Sequence, residues 1–222
     1  LIFEEKKVTM AQLLQALTDN WEGQERLRSM FLNAPKFGND DDYVDLFARD
    51  VHIKTCQVMQ SFKTIYGHRV TCDGSGGASY FHFAGLTGAT PDGRQDRGLF
   101  NDGTVSPEIG TDKKGPTAVL KSVSKIDPMV TFNHLFNQRF APQFLEGENR
   151  EIFASYVKTW SDLGIHHIQF NVIEPETLRD AQQHPEKHTD LIVRVAGYAA
   201  YFVDLTKSLQ DDIIARTEQS FT

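Results

Sequence analysis

The second half of the sequence predicts an α/β fold, because from residue 134 onward strand and helix patterns alternate three times. Residues 167–172 alternate between apolar and polar, and residues 191–196 form an apolar run typical of a strand. Pro175 and Pro185 mark the start and end of a helix between them. An earlier helix ends at Gly164, and its apolar face consists of Ile152, Phe153, Tyr156, Val157 and Trp160. This order is typical of parallel βαβ units.

Two helices in the first third of the chain are marked by capping residues. Thr9 and Gln12 form a capping-box pattern, followed at helical spacing by Met10, Leu14, Leu17 and Trp21. The acidic run at residues 39–42 supplies N-cap side chains for a second helix and lacks the ligand spacing of a calcium loop. The stripe predicted to be buried on this second helix comprises Val44, Phe47, Val51, Val58 and Phe62.

Composition narrows the classes of function. The 222 residues, 40% of them hydrophobic, suffice for one or two domains with a sizeable core. A net charge of −7 argues against nucleic acid as the main partner. No apolar run approaches the roughly 18 residues of a membrane helix, and no leader pattern opens the chain, so we expect a cytoplasmic protein without a membrane partner.

Several candidate metal-binding, disulfide or phosphate-binding sites are better explained as ordinary structural features. Cys56 and Cys72 are too few for a disulfide scaffold or a four-ligand zinc site, and we interpret both as ordinary thiols. His184 and His188 are four residues apart, but Pro185 interrupts the helix that a metal site would need. The glycine cluster at residues 74–77 lacks the pattern of a phosphate loop. It lies in a loop-rich tract, residues 66–117, that we expect to connect two domains.

The segment LIVRVAGYAAYF at residues 191–202 ends an apolar run on Gly197. By itself this is a strand that ends in a tight turn. The segment also resembles the radical motif of the glycyl radical enzyme superfamily, of the pyruvate formate-lyase type. The matching positions are Arg194, Val195, Gly197, Tyr198 and Phe202. Further blocks resemble the same superfamily in the same order, at residues 88–94, 102–107, 114–125, 167–172 and 210–217.

The resemblance implies that Gly197 carries a radical on its α-carbon. It also implies the C-terminal part of a ten-stranded β/α barrel, with the radical loop inserted into the barrel. Residues 1–93 would be the end of the barrel domain, and residues 94–222 the glycine radical domain. Because members of the superfamily extend several hundred residues further upstream, we expect this chain to be a C-terminal fragment.

In this superfamily, a separate radical S-adenosylmethionine enzyme with an iron–sulfur cluster takes a hydrogen atom from the glycine, so this chain is expected to bind no cofactor or metal itself. The radical then passes to a cysteine on a facing loop, whose motif neither Cys56 nor Cys72 resembles. The resulting thiyl radical abstracts a hydrogen atom from a small-molecule substrate. Oxygen destroys the stored radical and cleaves the chain at the glycine, which implies an anaerobic cytoplasm. Homodimers are common in the superfamily.

The motif looks closer to the glycerol, hydroxyproline and choline lyases and the arylacetate decarboxylases than to pyruvate formate-lyase. We therefore expect radical elimination or decarboxylation of a small hydroxylated or carboxylated substrate. Formate acetyltransferase and X-succinate synthase chemistry remain alternatives, as do a spare-part radical domain that repairs a damaged partner enzyme and an inactive interaction module. The polar face of residues 167–172 lines a cavity or forms a solvated edge, and Tyr198, Tyr201 and Phe202 either pack around the loop or relay electrons.

Overall fold

A computed structural model describes residues 1–74 and 79–216, together with the backbone of residues 218–219. The described chain divides into two compact units, residues 1–35 with 79–100 and residues 36–78 with 101–222. Three helices belong to the first unit, and five helices and all five strands belong to the second. The helices are α1 (Met10–Thr18), α2 (Glu25–Leu32), α3 (Asp42–Ser61), α4 (Ser79–Ala84), α5 (Pro116–Ser124), α6 (Asn149–Asp162), α7 (Pro175–Gln183) and α8 (Lys207–Ala215). The strands are β1 (Asn137–Phe140), β2 (Gln169–Asn171), β3 (Ile192–Arg194), β4 (Ala199–Tyr201) and β5 (Glu218–Gln219).

The first unit begins with the predicted capping box of α1. The Thr9 N–H donates to Gln12 Oε1 over 2.9 Å, and the Gln12 N–H donates to Thr9 Oγ1 over 3.2 Å. The apolar stripe that recurs at helical spacing on α1 is only partly buried, because Met10 and Leu14 are exposed. The helix is rotated so that a neighbouring stripe enters the core instead. The buried cluster consists of Val8, Leu13, Ala16, Trp21 and Phe31.

Arg94 organises the loop that completes the first unit. Its backbone carbonyl accepts a hydrogen bond of 3.2 Å from the Trp21 indole. Its guanidinium donates to the carbonyls of Gly88 and Gly98, both at 2.5 Å, and lies 4.2 Å from the centre of the Phe100 ring. One buried arginine therefore satisfies carbonyls of an irregular segment that has no ladder of its own.

The second unit contains a parallel sheet in the order β2-β1-β5. The predicted βαβ unit is confirmed for β1, α6 and β2, and α6 is followed by Gly164 at φ +69°. The prediction of a third parallel strand at residues 191–196 is wrong, because β3 pairs antiparallel with β4. The chain turns back directly at Gly197, so β3 finds its partner within the same hairpin.

The core of the second unit is built around Phe140, which is fully buried at the end of β1. Four rings from α6, β2 and the turn after β1 surround it with centroids 5.3–6.1 Å away, namely Phe144, Phe153, Tyr156 and Phe170. Most of these pairs are edge-to-face, the arrangement that ring quadrupoles favour. The cluster fixes α6 against the sheet and thereby positions β2.

The predicted orientation of α3 is wrong. Asp41 is the N-cap, as the acidic run predicts, and it accepts from the Tyr43 N–H over 3.1 Å. Phe47 and Val58 of the predicted buried stripe are, however, 72% and 60% exposed. The buried face carries Asp45 instead, whose carboxylate accepts 2.8 Å hydrogen bonds from Ser122 and Lys125. A buried carboxylate requires such partners, and they determine which face of α3 points inward.

Among the described residues of the loop-rich tract at residues 66–117, α4 and the first two residues of α5 are helical and the rest is irregular, as expected. Residues 75–77 of its glycine cluster lie outside the described residues, as does Thr217. In the part of the chain that the structure describes, no helix combines the length and apolarity required to cross a membrane.

We expect Phe140→Ala to lower the free energy of unfolding by about 3–5 kcal/mol, because it removes a buried ring that contacts four others. Urea denaturation of the 222-residue chain measures this change. Phe132→Ala is the matched control, since that ring is 85% exposed. Its effect should stay within about 0.5 kcal/mol. Equal effects of the two substitutions would contradict the described core.

Candidate functional site

Gly197 lies at the turn of the β3–β4 hairpin, and it is exposed. The Val195 N–H donates to the Tyr198 carbonyl over 2.9 Å and closes the turn around Ala196 and Gly197. Gly197 adopts φ +82°, a conformation that strains residues with a side chain. A positive φ in this range is the left-handed region that favours glycine, so the turn selects glycine at this position. The turn therefore presents a glycine α-carbon at its apex.

The floor beneath this turn is Leu135, which is 3% exposed. A Cβ built on Gly197 would lie 3.4 Å from Leu135 Cδ2, which is ordinary van der Waals contact. An alanine at position 197 is thus opposed by its backbone conformation and not by a clash. Gly197→Ala is consequently a suitable substitution for testing the chemistry of this position.

Gln169 on β2 reaches the backbone of the turn. Its side-chain oxygen accepts a long hydrogen bond of 3.4 Å from the Gly197 N–H, and Gln169 Nε2 lies 3.2 Å from His167 Nε2. Nδ1 of the same imidazole accepts from the Phe136 N–H over 3.3 Å. Desolvation, with a smaller contribution from the positive charge of Arg194, lowers the pKa of His167. His167 thus lies between the backbone of Phe136 and the glutamine that contacts the glycine.

Asn171, two residues further along β2, holds the strand that leads into the turn. Its Nδ2 donates to the Arg194 carbonyl over 2.8 Å, and its Oδ1 accepts from the Arg194 N–H over 2.8 Å. The side chain thus makes the two backbone hydrogen bonds to Arg194 that a neighbouring strand would make. Both Gln169 and Asn171 are buried, so the polar face of β2 binds the hairpin and is not a solvated edge.

A buried ion cluster also contacts the Arg194 carbonyl. Arg216, after α8, donates to the Arg194 carbonyl over 3.1 Å. Its guanidinium also lies 2.9 Å from a carboxylate oxygen of Asp102 and 3.1 Å from one of Asp212. Burial raises the pKa of Asp102, and the charge of Arg216 opposes that rise. Asp102 and Asp212 therefore orient Arg216, which anchors β3 at Arg194.

Sequence reasoning missed the individual roles of Asp102, Asn171 and Arg216. Each lies in a block that resembles the glycyl radical superfamily, so the matching segments were recognised without their contacts. A single charged residue, Asp102 or Arg216, gives no periodic signal. A pair of amides spaced two apart on β2, Gln169 and Asn171, was the only available hint of a polar face with a partner.

Other residues selected from the sequence lie apart from this arrangement or have structural roles. Phe202 is fully buried and packs after the hairpin, whereas Tyr198 and Tyr201 are exposed. His188 Nε2 lies 2.6 Å from Asp180, an ion-pair geometry on the surface. Among the described residues no group of three or more metal-ligating side chains occurs.

His134 precedes the floor residue Leu135 and is 3% exposed. Its Nε2 lies 3.2 Å from Nε2 of His52 on α3. Desolvation, reinforced by His52 and His166, lowers the pKa of His134 to about 4, with only a weak opposing effect of Asp127. The imidazole beside the floor of the turn is therefore neutral near pH 7.

We expect Asn171→Ala to loosen the hairpin locally. Two hydrogen bonds to Arg194 are lost, worth about 2 kcal/mol together, so the Arg194 amide should exchange about 30-fold faster. Hydrogen exchange with mass spectrometry or NMR measures this rate. Asn149→Ala is the control, because its side-chain amide, at the start of α6, donates to the exposed carbonyl of Gln143 in the turn after β1. Unchanged protection of Arg194 in Asn171→Ala would contradict the anchoring role.

We expect His134 to make stability depend on pH between about 4 and 6.5. In this window the folded state binds fewer protons at His134 than the unfolded chain, so stability falls as the pH falls. Urea denaturation across this range should show a shallower pH dependence in His134→Gln than in the wild type. The exposed His68→Gln is the control and should keep the wild-type dependence. Parallel curves for the wild type and His134→Gln would refute the neutral buried imidazole.

Comparison with known proteins gives two matches to family models. Residues 101–203, which include Gly197, match the family described as "Glycine radical". Residues 1–83 match the family described as "Pyruvate formate lyase-like".

Three relatives illustrate the similarity. Trans-4-hydroxy-L-proline dehydratase of Clostridioides difficile is 40% identical over 222 residues, covering 99% of this chain and 28% of the relative. Isethionate sulfite-lyase of Bilophila wadsworthia is 41% identical, covering 98% of this chain and 26% of the relative. The solved structure of the glycerol-bound, B12-independent glycerol dehydratase from Clostridium butyricum is 42% identical with a TM-score of 0.94, covering 99% of this chain and 28% of that one.

The chain thus spans 28% or less of the length of these relatives. The structural likeness confirms the predicted fold type, and the relatives agree with the branch that the motif resembles. Matches to both regions of the family, together with 40% identity along almost the whole chain, lead to one conclusion. The chain belongs to the glycyl radical enzyme superfamily.

Proposed function

We propose that Gly197 stores an organic radical on its α-carbon. The observation that carries the proposal is an exposed glycine at the apex of a turn whose flanking strand is held by buried side chains. Loss of one hydrogen atom leaves an α-carbon that must become planar to share its spin with the adjoining amides. Glycine allows this because it has no side chain to oppose the change.

Two features of the site favour that role. The N–H of Gly197 bonds Gln169, so the amide that shares the spin has a defined partner. The exposed apex leaves the α-carbon accessible to an activating enzyme, while Asn171 and Arg216 hold the chain at Arg194. Because the chain is held at Arg194 and exposed at Gly197, the turn can move out of its place and return to it without unfolding the sheet.

We propose that a radical S-adenosylmethionine enzyme with an iron–sulfur cluster removes the hydrogen atom, so the cofactor chemistry belongs to that partner. The Gly197 radical then takes a hydrogen atom from a cysteine thiol, which becomes a thiyl radical. The thiyl radical takes hydrogen from a substrate C–H bond, and the product radical recovers it when the reaction ends. Neither Cys56 nor Cys72 is assigned this role, and we place the reactive cysteine in the remaining part of the enzyme.

For the whole enzyme we propose elimination from a small hydroxylated substrate, as in a dehydratase or related lyase. The support is that the relatives described above carry names of dehydratases and a sulfite-lyase, two of them named after the hydroxylated compounds hydroxyproline and glycerol. We further propose that residues 1–93 belong to the barrel domain and residues 94–222 to the glycine radical domain. The complete enzyme would act as a homodimer in an anaerobic cytoplasm.

We expect anaerobic incubation with the activating enzyme and S-adenosylmethionine to give an electron paramagnetic resonance doublet, split by the one hydrogen that remains on the α-carbon. Gly197→Ala should give no such signal, although alanine fits the space above Leu135. Gly164→Ala is the matched control, since Gly164 also has a positive φ, +69°, and open space at the Cβ position. This control should retain the doublet.

A doublet of equal intensity in Gly197→Ala would refute the assignment. The same spectra are to be recorded with a complete family member that contains these residues. A doublet there but not in the 222-residue chain would show that presentation of the glycine needs further residues. The absence of a doublet from both proteins would refute the glycyl radical function.

A further inference from the structure

The two cysteines of the chain contact each other although 15 residues separate them in sequence. Cys56 lies on α3 and is 5% exposed, and Cys72 lies in the loop before Gly74 and is partly exposed. Cys72 Sγ lies 3.7 Å from the Cys56 carbonyl oxygen. Burial, followed by a hydrogen bond with the Cys72 thiol, raises the pKa of the Cys56 thiol. Both side chains are free thiols in this structure.

The chain between them is already folded back on itself. Lys63 and Arg69 form an antiparallel bridge, and the Thr64 N–H donates to the His68 carbonyl over 2.9 Å. The segment that follows is also fixed, because the Phe132 N–H donates to the Cys72 carbonyl over 2.8 Å. The two thiols are thus held together by backbone contacts that do not depend on a bond between them, so linking them closes a loop that is already formed.

We propose that Cys56 and Cys72 form a reversible intramolecular disulfide, a modification site separate from the radical chemistry. The oxidant is a small-molecule disulfide such as oxidised glutathione. One S–S bond forms between the cysteines, and the two thiols give up two electrons and two protons. The small disulfide accepts them and becomes two small thiols, so the exchange is balanced.

The difference in exposure sets the order of the two steps. Cys72 is the accessible thiol, so its thiolate attacks the small disulfide and forms a mixed disulfide. Cys56 is buried against it and then displaces the small thiol. Burial and the raised pKa protect Cys56 from reagents in solution, whereas the contact favours reaction with its neighbour.

A metal is the other ligand that thiols attract. Cys56 lies one helical turn after His52 on α3. His52 contacts His134, yet in the described ranges no three metal-ligating side chains come together. The geometry therefore favours a bond between the two sulfurs.

The disulfide would tie α3 to the segment beneath the Gly197 turn. Cys72 bonds the backbone of Phe132, and Gly74 forms a parallel bridge with His134. His134 is followed by Leu135, which lies under Gly197. Oxidation would thus fix a strand segment that supports the candidate radical loop. The site itself does not depend on whether Gly197 carries a radical.

The test equilibrates the 222-residue chain with glutathione buffers of increasing oxidised fraction, quenches with acid and alkylates free thiols. Trypsin places Cys56 in the peptide of residues 55–63 and Cys72 in the peptide of residues 70–94. We expect these two peptides to appear linked, with a mass lower by two hydrogens. The chain should remain monomeric in non-reducing electrophoresis, and dithiothreitol should restore two alkylated cysteines.

Single substitutions separate the two steps. Cys56→Ser should accumulate glutathione on Cys72, to about tenfold more than the wild type under the same buffer, because the resolving thiol is gone. Cys72→Ser should leave Cys56 unmodified. The wild-type peptide map decides the proposal even if Cys56→Ser is unstable. Glutathione retained on Cys72 of the wild type, a disulfide-linked dimer, or two free thiols at every buffer ratio would overturn it.

Discussion

The backbone of Arg194 is the point on which the rest of the site depends. Its carbonyl accepts from both Asn171 and Arg216, and its N–H donates to Asn171. Strands of three residues, such as β3 and β4, make too few ladder bonds to be stable alone. The hairpin therefore keeps its position through side chains from β2 and from the end of α8. Without them the turn at Gly197 would have no fixed place above Leu135.

This arrangement separates rigidity from accessibility. The anchoring groups are buried, and Asp102 and Asp212 fix Arg216 as well. Gly197, three residues beyond the anchored Arg194, is exposed and adopts a backbone conformation that favours glycine. The radical role proposed for Gly197 would use both properties, because an activating enzyme would have to reach the glycine and the turn would have to return to one defined position.

The sequence predicted those parts of the fold that local patterns encode. The capping box at Thr9, the N-cap before α3 and the β1-α6-β2 unit all follow from residues close together in the chain. The apolar stripe of α3 was predicted to be buried, and this is wrong, because periodicity identifies an apolar face but not the direction in which that face points. Asp45 is buried instead, because Ser122 and Lys125, which are distant in sequence, donate hydrogen bonds to its carboxylate.

The distinction between local patterns and contacts distant in sequence also applies to the candidate site. Gly197 was recognised from its neighbours, whereas the contacts of Asn171, Arg216 and Asp102 join segments far apart along the chain. The pairing of β3 with β4 was also missed, since a run of apolar residues is compatible with either a parallel sheet or a hairpin. Short-range motifs therefore pointed to Gly197, and only the three-dimensional structure identified what holds its turn in place.

The most direct test of the account is to map where oxygen cleaves the activated chain. The protein is treated anaerobically with the activating enzyme and S-adenosylmethionine and then exposed to air, and the fragments are measured by intact-mass spectrometry. We expect one cleavage, at Gly197, that depends on activation. Cleavage at another glycine, or an intact chain after a radical signal has been recorded and lost in air, would contradict it.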